Sequence, residues 1–560
     1  MNRLIRHIGR NRKIYVLLII GLFFVYIYGW LYRVPEHKFT SPDETSNYFY
    51  IQQFANQNKL SIDEPLNVIA QNVIHPRSMN VVNGTIVPGS FLGMILIYGS
   101  IAKIAGMSVV PLLTPLFGVA GIVFFYLLLR KIFSERVAFV SAVLVFVNPV
   151  FWYYASRGLF HAVLFISLCI AGIYFFMHAI HSGHTRKTRI ALFAVSGLLI
   201  GLSLITRTSE CTWVFFVLLG LWLSHFKKIR YAEIALFGFM VCVTFIPIFY
   251  YNNQLYGSVF TFSYTAGAAT GSIEAVEGVS TGQRIFDMFF PFGVNIGHAA
   301  HMAFRYVILA MPWFSILLIA LLIWTTKNAF LNRLKKIFAS VASRTMNVPL
   351  SERVYVYCFI FVAVWLILYY GSFVFSEFRE TNRIILGSSY LRYWLPLYVF
   401  ATPLIVKGMF RLRELWEAPR VQKIVSIFFV VIFLLLPMVW VINDPLYGLM
   451  ATKKNTEDSI ALSRSVMEVT HPGAVIIAGN ADKVFFPERR VIANFPTSQT
   501  ARAGVLHALY DRVPLYFFYS ALDLTGENII LFLRTYGYTL VEIKQFHQGG
   551  DATLFKIEKL

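Results

Sequence analysis

Two adjacent carboxylates, Asp43 and Glu44, follow Pro42 at the head of the stretch from Phe39 to Gln57. Proline is tolerated in the first turn of a helix, where its missing N–H costs nothing, and acids there face the positive end of the helix dipole. Tyr48, Ile51, Phe54 and Ala55 recur at helical spacing downstream, which predicts an amphipathic helix lying where water meets lipid with one apolar face down. A carboxylate pair held there can do acid/base work on a substrate that arrives partly from the bilayer. The plainer alternative is a pair of acids that only answers the helix dipole.

The surrounding composition says what must position this pair. The chain has 560 residues, 57% hydrophobic and 14% charged, against roughly a quarter charged in soluble proteins. It reads as a polytopic membrane protein. Its net charge of +21 does not point to nucleic acid, because Lys and Arg sit mainly in short clusters between apolar runs. Loops with a positive-inside bias account for that distribution. Cys169, Cys211, Cys242 and Cys358 each fall in or beside apolar runs, so neither a disulfide framework nor a zinc site is indicated.

Basic residues from Arg3 to Lys13 place the N-terminus in the cytoplasm, and a first span near residues 14 to 33 delivers Asp43 and Glu44 to the outer face. An external loop, residues 34 to 108, then ends in the apolar run from Pro88 to Ile104. As a full span that run would put the basic groups at Arg130 to Arg136, His184 to Arg189 and Lys227 to Arg230 outside. It is therefore read as a re-entrant or interfacial helix.

Spans are expected near 109–129, 137–154, 159–179, 190–206, 211–226, 231–250, 303–325, 354–375, 394–409 and 423–442, about eleven with the first. A second external loop covers 252–301, and its small-residue-rich part, from Thr265 to Gly282, is a candidate lid. The basic stretch from Lys327 to Arg353 is read as cytoplasmic, with Phe330 to Phe338 on the inner surface. From residue 443 the composition becomes that of a small soluble α/β domain. There, strands are expected at 539–544 and 553–557, helices at 459–469 and 501–509, and short apolar runs stand at 474–478 and 528–532.

The ordered set of motifs across residues 14 to about 410 resembles the GT-C superfamily of integral membrane glycosyltransferases, which includes protein O-mannosyltransferases and lipid A aminoarabinose transferases. The pieces are Pro42-Asp43-Glu44, the proline-led run from Ile86 to Gly93, the turn from Arg130 to Arg136, and Asn148-Pro149 to Ser156-Arg157. The segments from Gly201 to Arg207, from Tyr251 to Ser258 and from Tyr390 to Pro396 complete the set. The fold this implies is an all-α polytopic membrane protein of GT-C type. It has its N-terminus in, its C-terminus out and a small extracytoplasmic α/β domain at 443–560.

The resemblance also implies transfer of a sugar from a polyprenyl-phosphate donor to an acceptor outside the cytoplasm, whether protein, lipid or cell-surface glycan. A hydroxyl acceptor is a poor nucleophile at neutral pH, so a carboxylate must take its proton. Asp43 is the candidate base, and Glu44 the residue that orients the acceptor or an arginine. The departing phosphate gains negative charge that arginines at the membrane boundary would stabilise. Arg207 and Arg392 are the first candidates, with Arg77, Arg157 and Arg383 behind them. The plain alternative for Arg207 and Arg392 is snorkelling to lipid headgroups.

His161 joins the substrate-binding set as a departure, standing where many relatives carry an aspartate, which bears on metal dependence. No metal ligand set is read from the sequence, and a divalent metal remains an open cofactor. The competing function is a non-catalytic flippase or transporter of a polar lipid or glycan. No internal repeat is evident, and the notable charges gather at the outer ends of spans, which favours the enzyme. A polymerase acting on lipid-linked glycans shares the donor type.

Overall fold

The structure is a computed structural model that describes residues 2–30, 38–180, 183–263, 289–312, 315, 350–374, 384–414, 416–496, 498–520, 526–547 and 551–560. Arg383, half of the loop 252–301 including its candidate lid, the surface segment 330–338 and just over half of the expected span 303–325 lie outside the described residues.

Helices dominate. Eight described helices are long and apolar enough to cross a membrane: Met107–Leu129, His161–Ala179, Arg186–Thr206, Thr208–Lys228, Tyr231–Tyr256, Ser351–Gly371, Leu395–Glu414 and Pro419–Asn443. The pair Glu135–Phe146 and Pro149–Ser156, bent by 51°, makes a ninth if it is one span. The protein is an integral membrane protein. An N-terminal helix, Asn2–Tyr28, is apolar from Ile14 onward. Leu92–Ala105 has 14 residues, about 21 Å at helical rise, too short to cross a hydrocarbon core of about 30 Å by itself.

The break at residue 147 follows from two side chains. Asn148 caps the second helix, its Oδ1 accepting from the N–H groups of Val150 and Phe151, and Pro149 occupies the first helical position. A proline there cannot continue the preceding helix. Small residues let other helices approach closely. A Cβ on Gly172 would stand 2.7 Å from the Ile200 side chain and 3.1 Å from its backbone nitrogen, so helices His161–Ala179 and Arg186–Thr206 pack closely.

Contacts divide the chain into two units. The first comprises Met1–Trp30, Leu112–Thr244 and Glu277–Leu449; the second comprises Leu31–Pro111, Phe245–Val276 and Met450–Leu560. The first unit carries most of the apolar helices. In the second, strands β1 (Ile62–Asp63), β2 (Met79–Val82) and β3 (Thr85–Pro88) form a small antiparallel sheet in the order β1-β3-β2. A five-stranded mixed sheet follows: β4 (Val475–Ile477), β5 (Arg490–Ile492), β6 (Leu515–Ser520), β7 (Tyr538–Phe546) and β8 (Ala552–Lys559). Their order is β5-β4-β6-β8-β7, with β4 parallel to β5 and β6 and the remaining pairs antiparallel.

The run 528–532 belongs to the helix Gly526–Thr535 rather than to a strand, because a short apolar run has no period that separates the two. The core under this sheet is not made by residues 450–560 alone. Ala70 and Ile74 of the first loop are buried among Val475, Ile477, Ile492, Val505, Leu509 and Phe517, and His75 bridges to Ile492 in parallel fashion.

Candidate active site

The acidic helix, Pro42–Gln57, begins at Pro42, which occupies its first turn together with Asp43 and Glu44. Its buried residues are Glu44, Thr45, Ser46, Asn47, Tyr50 and Ile51. Thus, of the predicted apolar face, Ile51 is fully buried while Tyr48, Phe54 and Ala55 are only half-buried, and polar side chains go inward beside Ile51. The reason is its neighbour: the helix packs on Leu92–Ala105, where a Cβ on Gly99 would stand 2.6 Å from the Phe54 ring. Protein covers one side of the helix, so the amphipathic pattern that would suit an interface is not required.

Asp43 Oδ1 accepts from Ser78 Oγ at 2.5 Å, and the Ser78 carbonyl in turn accepts from Ser46 Oγ at 2.8 Å. Ser78 has φ +60°, and its carbonyl also accepts from the N–H of Gly89 at 3.0 Å. Glycine is needed at that point, since a Cβ on Gly89 would lie 2.7 Å from the Ser78 backbone. Glu44 is buried, 2% exposed.

Arg77, one residue before Ser78, is engaged by Asp482 and Asn480. Its Nε and Nη2 donate to Asp482 Oδ1 at 3.1 and 2.8 Å, its N–H to Asp482 Oδ2 at 2.7 Å, and its Nη1 and Nη2 to Asn480. Asp482 is fully buried. Two guanidinium nitrogens on one carboxylate oxygen and the backbone N–H on the other brace the loop that holds Asp43. Lys38 does the same on the other side of the helix start, donating to the Phe486 carbonyl at 3.0 Å and to Glu488 Oε2 at 2.5 Å. Burial lowers the Lys38 pKa, opposed by Glu488.

The cationic residues of the first unit form a second group. Arg207 ends the helix Arg186–Thr206 and is 3% exposed. Its Nη2 lies 2.8 Å from Glu210 Oε1 in an ion pair and donates to the Tyr370 hydroxyl at 2.9 Å. Glu210, fully buried, also accepts from Tyr370 Oη at 2.6 Å and from Trp213 Nε1. Arg207 Nη1 is buried with no hydrogen-bond partner among the described residues.

Arg392, on the short helix Ser389–Tyr393, shares the Tyr393 ring with Arg207, the two guanidinium carbons lying 5.2 and 5.4 Å from its centroid. Arg157, at the end of the bent helix, shares the Phe160 ring with Arg392, at 5.2 and 4.8 Å. Arg157 is buried and donates to the Tyr153 hydroxyl at 2.9 Å. His161 is buried at the first position of the next helix, adjoining Phe160.

The structure therefore brings Arg157, Arg207 and Arg392 together around two aromatic rings, with His161 adjoining. Aromatic faces favour guanidinium groups and hold them where water is scarce. Glu210, Tyr370 and Tyr393 are the members that the sequence reading missed. An Arg207-to-Glu210 spacing of three in a turn between two spans was the available signal. Among the described residues no group of three or more His, Cys, Asp and Glu side chains could hold a metal ion.

No family model and no curated protein matches the chain. Solved structures do. The oligosaccharyltransferase of Archaeoglobus fulgidus in its apo form aligns with a TM-score of 0.53 at 12% identity, over 98% of this chain and 74% of its own. ArnT from Cupriavidus metallidurans bound to undecaprenyl phosphate aligns with a TM-score of 0.49 at 9% identity, over 98% of each chain. The chain has the fold of the GT-C integral membrane glycosyltransferases.

Proposed function

We propose that this protein is an inverting glycosyltransferase that moves a sugar from a polyprenyl-phosphate donor to an acceptor hydroxyl outside the cytoplasm. In this reading Asp43 takes the hydroxyl proton as the oxygen attacks C1. The C1–O bond to phosphate breaks, its electron pair leaves with the lipid phosphate, and the anomeric configuration inverts in one displacement. Arg207 and Arg392, with Arg157 beside them, hold the phosphate as its charge grows. Glu44 orients the acceptor side.

The observation that carries the reading is the gathering of three arginines around Phe160 and Tyr393, in a chain whose fold is that of glycosyltransferases. Snorkelling arginines would spread their heads toward solvent; Arg157 and Arg207 are buried instead. Anion recognition gives buried cations a use.

The test is transfer from a labelled polyprenyl-phosphate hexose to envelope acceptors by the purified protein in lipid. Wild type transfers label, and Asp43→Asn loses at least about 10²-fold in rate, the usual scale for a general base. Undiminished transfer by Asp43→Asn would remove Asp43 from the mechanism, and no transfer by wild type would favour the carrier.

A further inference from the structure

Arg207 is held unevenly. Both partners on it, Glu210 Oε1 in an ion pair and the Tyr370 hydroxyl as acceptor, engage the same nitrogen, Nη2. The other terminal nitrogen, Nη1, is buried without a partner among the described residues. The Tyr370 hydroxyl accepts from Arg207, lies 3.0 Å from Ser209 Oγ and donates to Glu210, so it closes a ring of bonds. Glu210 is anchored in turn by Trp213 from the helix that follows. A buried guanidinium with one end clamped and two N–H groups unspent is costly unless something accepts from them. An oxyanion would.

We propose that Glu210, acting with Tyr370, is a positioning residue for phosphate recognition. It pins Nη2 of Arg207 so that Nη1 is presented in one orientation to a phosphate oxygen of the lipid-borne ligand. The inference rests on the function proposed above and adds a residue to it. It also makes a prediction whose sign is opposite to that of the simpler view. If Glu210 were only a counter-charge, neutralising it would raise the local positive charge and tighten anion binding. If it holds the guanidinium in place, neutralising it weakens binding despite the added charge.

The experiment measures binding of undecaprenyl phosphate to the full chain in lipid nanodiscs, with the melting temperature of each variant recorded. Arg207→Gln abolishes saturable binding; if it binds as wild type does, the phosphate role of Arg207 fails, and with it this inference. With that arm positive, Glu210→Gln weakens binding by about tenfold, the value of one charge-assisted hydrogen bond. Unchanged or tighter binding overturns the positioning role. Tyr370→Phe keeps every charge, so it decides the matter should Glu210→Gln fail to fold. It weakens binding several-fold if the clamp matters, and leaves affinity at the wild-type level if it does not. Inorganic phosphate at matched ionic strength displaces the lipid no better than chloride does; efficient displacement would assign the ligand to free phosphate and overturn the lipid source.

Discussion

Asp43 and Arg207 are both charged residues at helix ends, yet the protein holds them in contrasting ways. Arg207 finds its counter-charge three residues along the chain, in a buried ion pair roofed by aromatic rings. Asp43 is half-exposed and accepts from Ser78, in the loop that leads into β2. That loop is in turn tied down by Arg77 and Asp482, 405 positions apart. A local clamp can be built from one turn, whereas the acid depends on a tertiary brace. The lesson is that the cation should be sensitive to changes beside it, and the acid to changes far along the sequence.

The largest effect should come from breaking the local clamp. Arg207→Gln leaves Glu210 buried and uncompensated, and removal of one partner from a buried pair costs about 3–5 kcal/mol. A large fall in the melting temperature in detergent is expected, and a fall of only a degree or two would mean the pair is not dry. Next is the remote brace. Asp482→Asn strips charge-assisted bonds from Arg77, whose side chain is 29% exposed, so a smaller cost of about 2 kcal/mol is expected. It should appear as faster hydrogen exchange in β4 and in the acidic helix together; exchange confined to β4 would uncouple the brace from Asp43.

A third substitution probes the link itself. Ser78→Ala removes one donor to Asp43 and should lower kcat by about tenfold or less with the melting temperature nearly unchanged. An unaltered kcat would make that bond dispensable. The smallest effect is one of pH. Burial holds the His75 imidazole below its ordinary value of about 6.5, so the folded state disfavours the proton. The unfolded chain takes it up below that pH, and stability contributed by neutral His75 is present above 6.5 and lost on acidification. The second unit should therefore melt at lower temperature at pH 5.5 than at 7.5, and His75→Gln should flatten part of that slope. A slope identical to wild type would assign the acid sensitivity elsewhere.

The same contrast explains what could be read in advance. Pro42 with its two acids and the arginines at span ends were legible because helix starts and apolar runs are written locally, whereas the expected span 137–154 is bent by 51° between Phe146 and Pro149. Glu210 carried a weaker signal, an acid between two spans, and reads as an ordinary turn residue until its two donors and its arginine are seen. Asp482 had none, since nothing near it in the chain marks it as the partner of Arg77. The orientation of the acidic helix was missed for a related reason: its periodicity described an apolar stripe, but not that Leu92–Ala105 would supply the covering surface.

The shared core has a consequence for biosynthesis. Ile74 leaves the ribosome long before Val475, the strand residue it is buried with. At roughly 5–20 residues per second that interval is about 20–80 s. During that interval the acidic helix waits without its permanent support, so the newborn chain must carry an unfinished first loop while most of its spans are being inserted. A nascent protein arrested before residue 450 should therefore be membrane-embedded with its first loop still lacking the partners that bury Ala70 and Ile74.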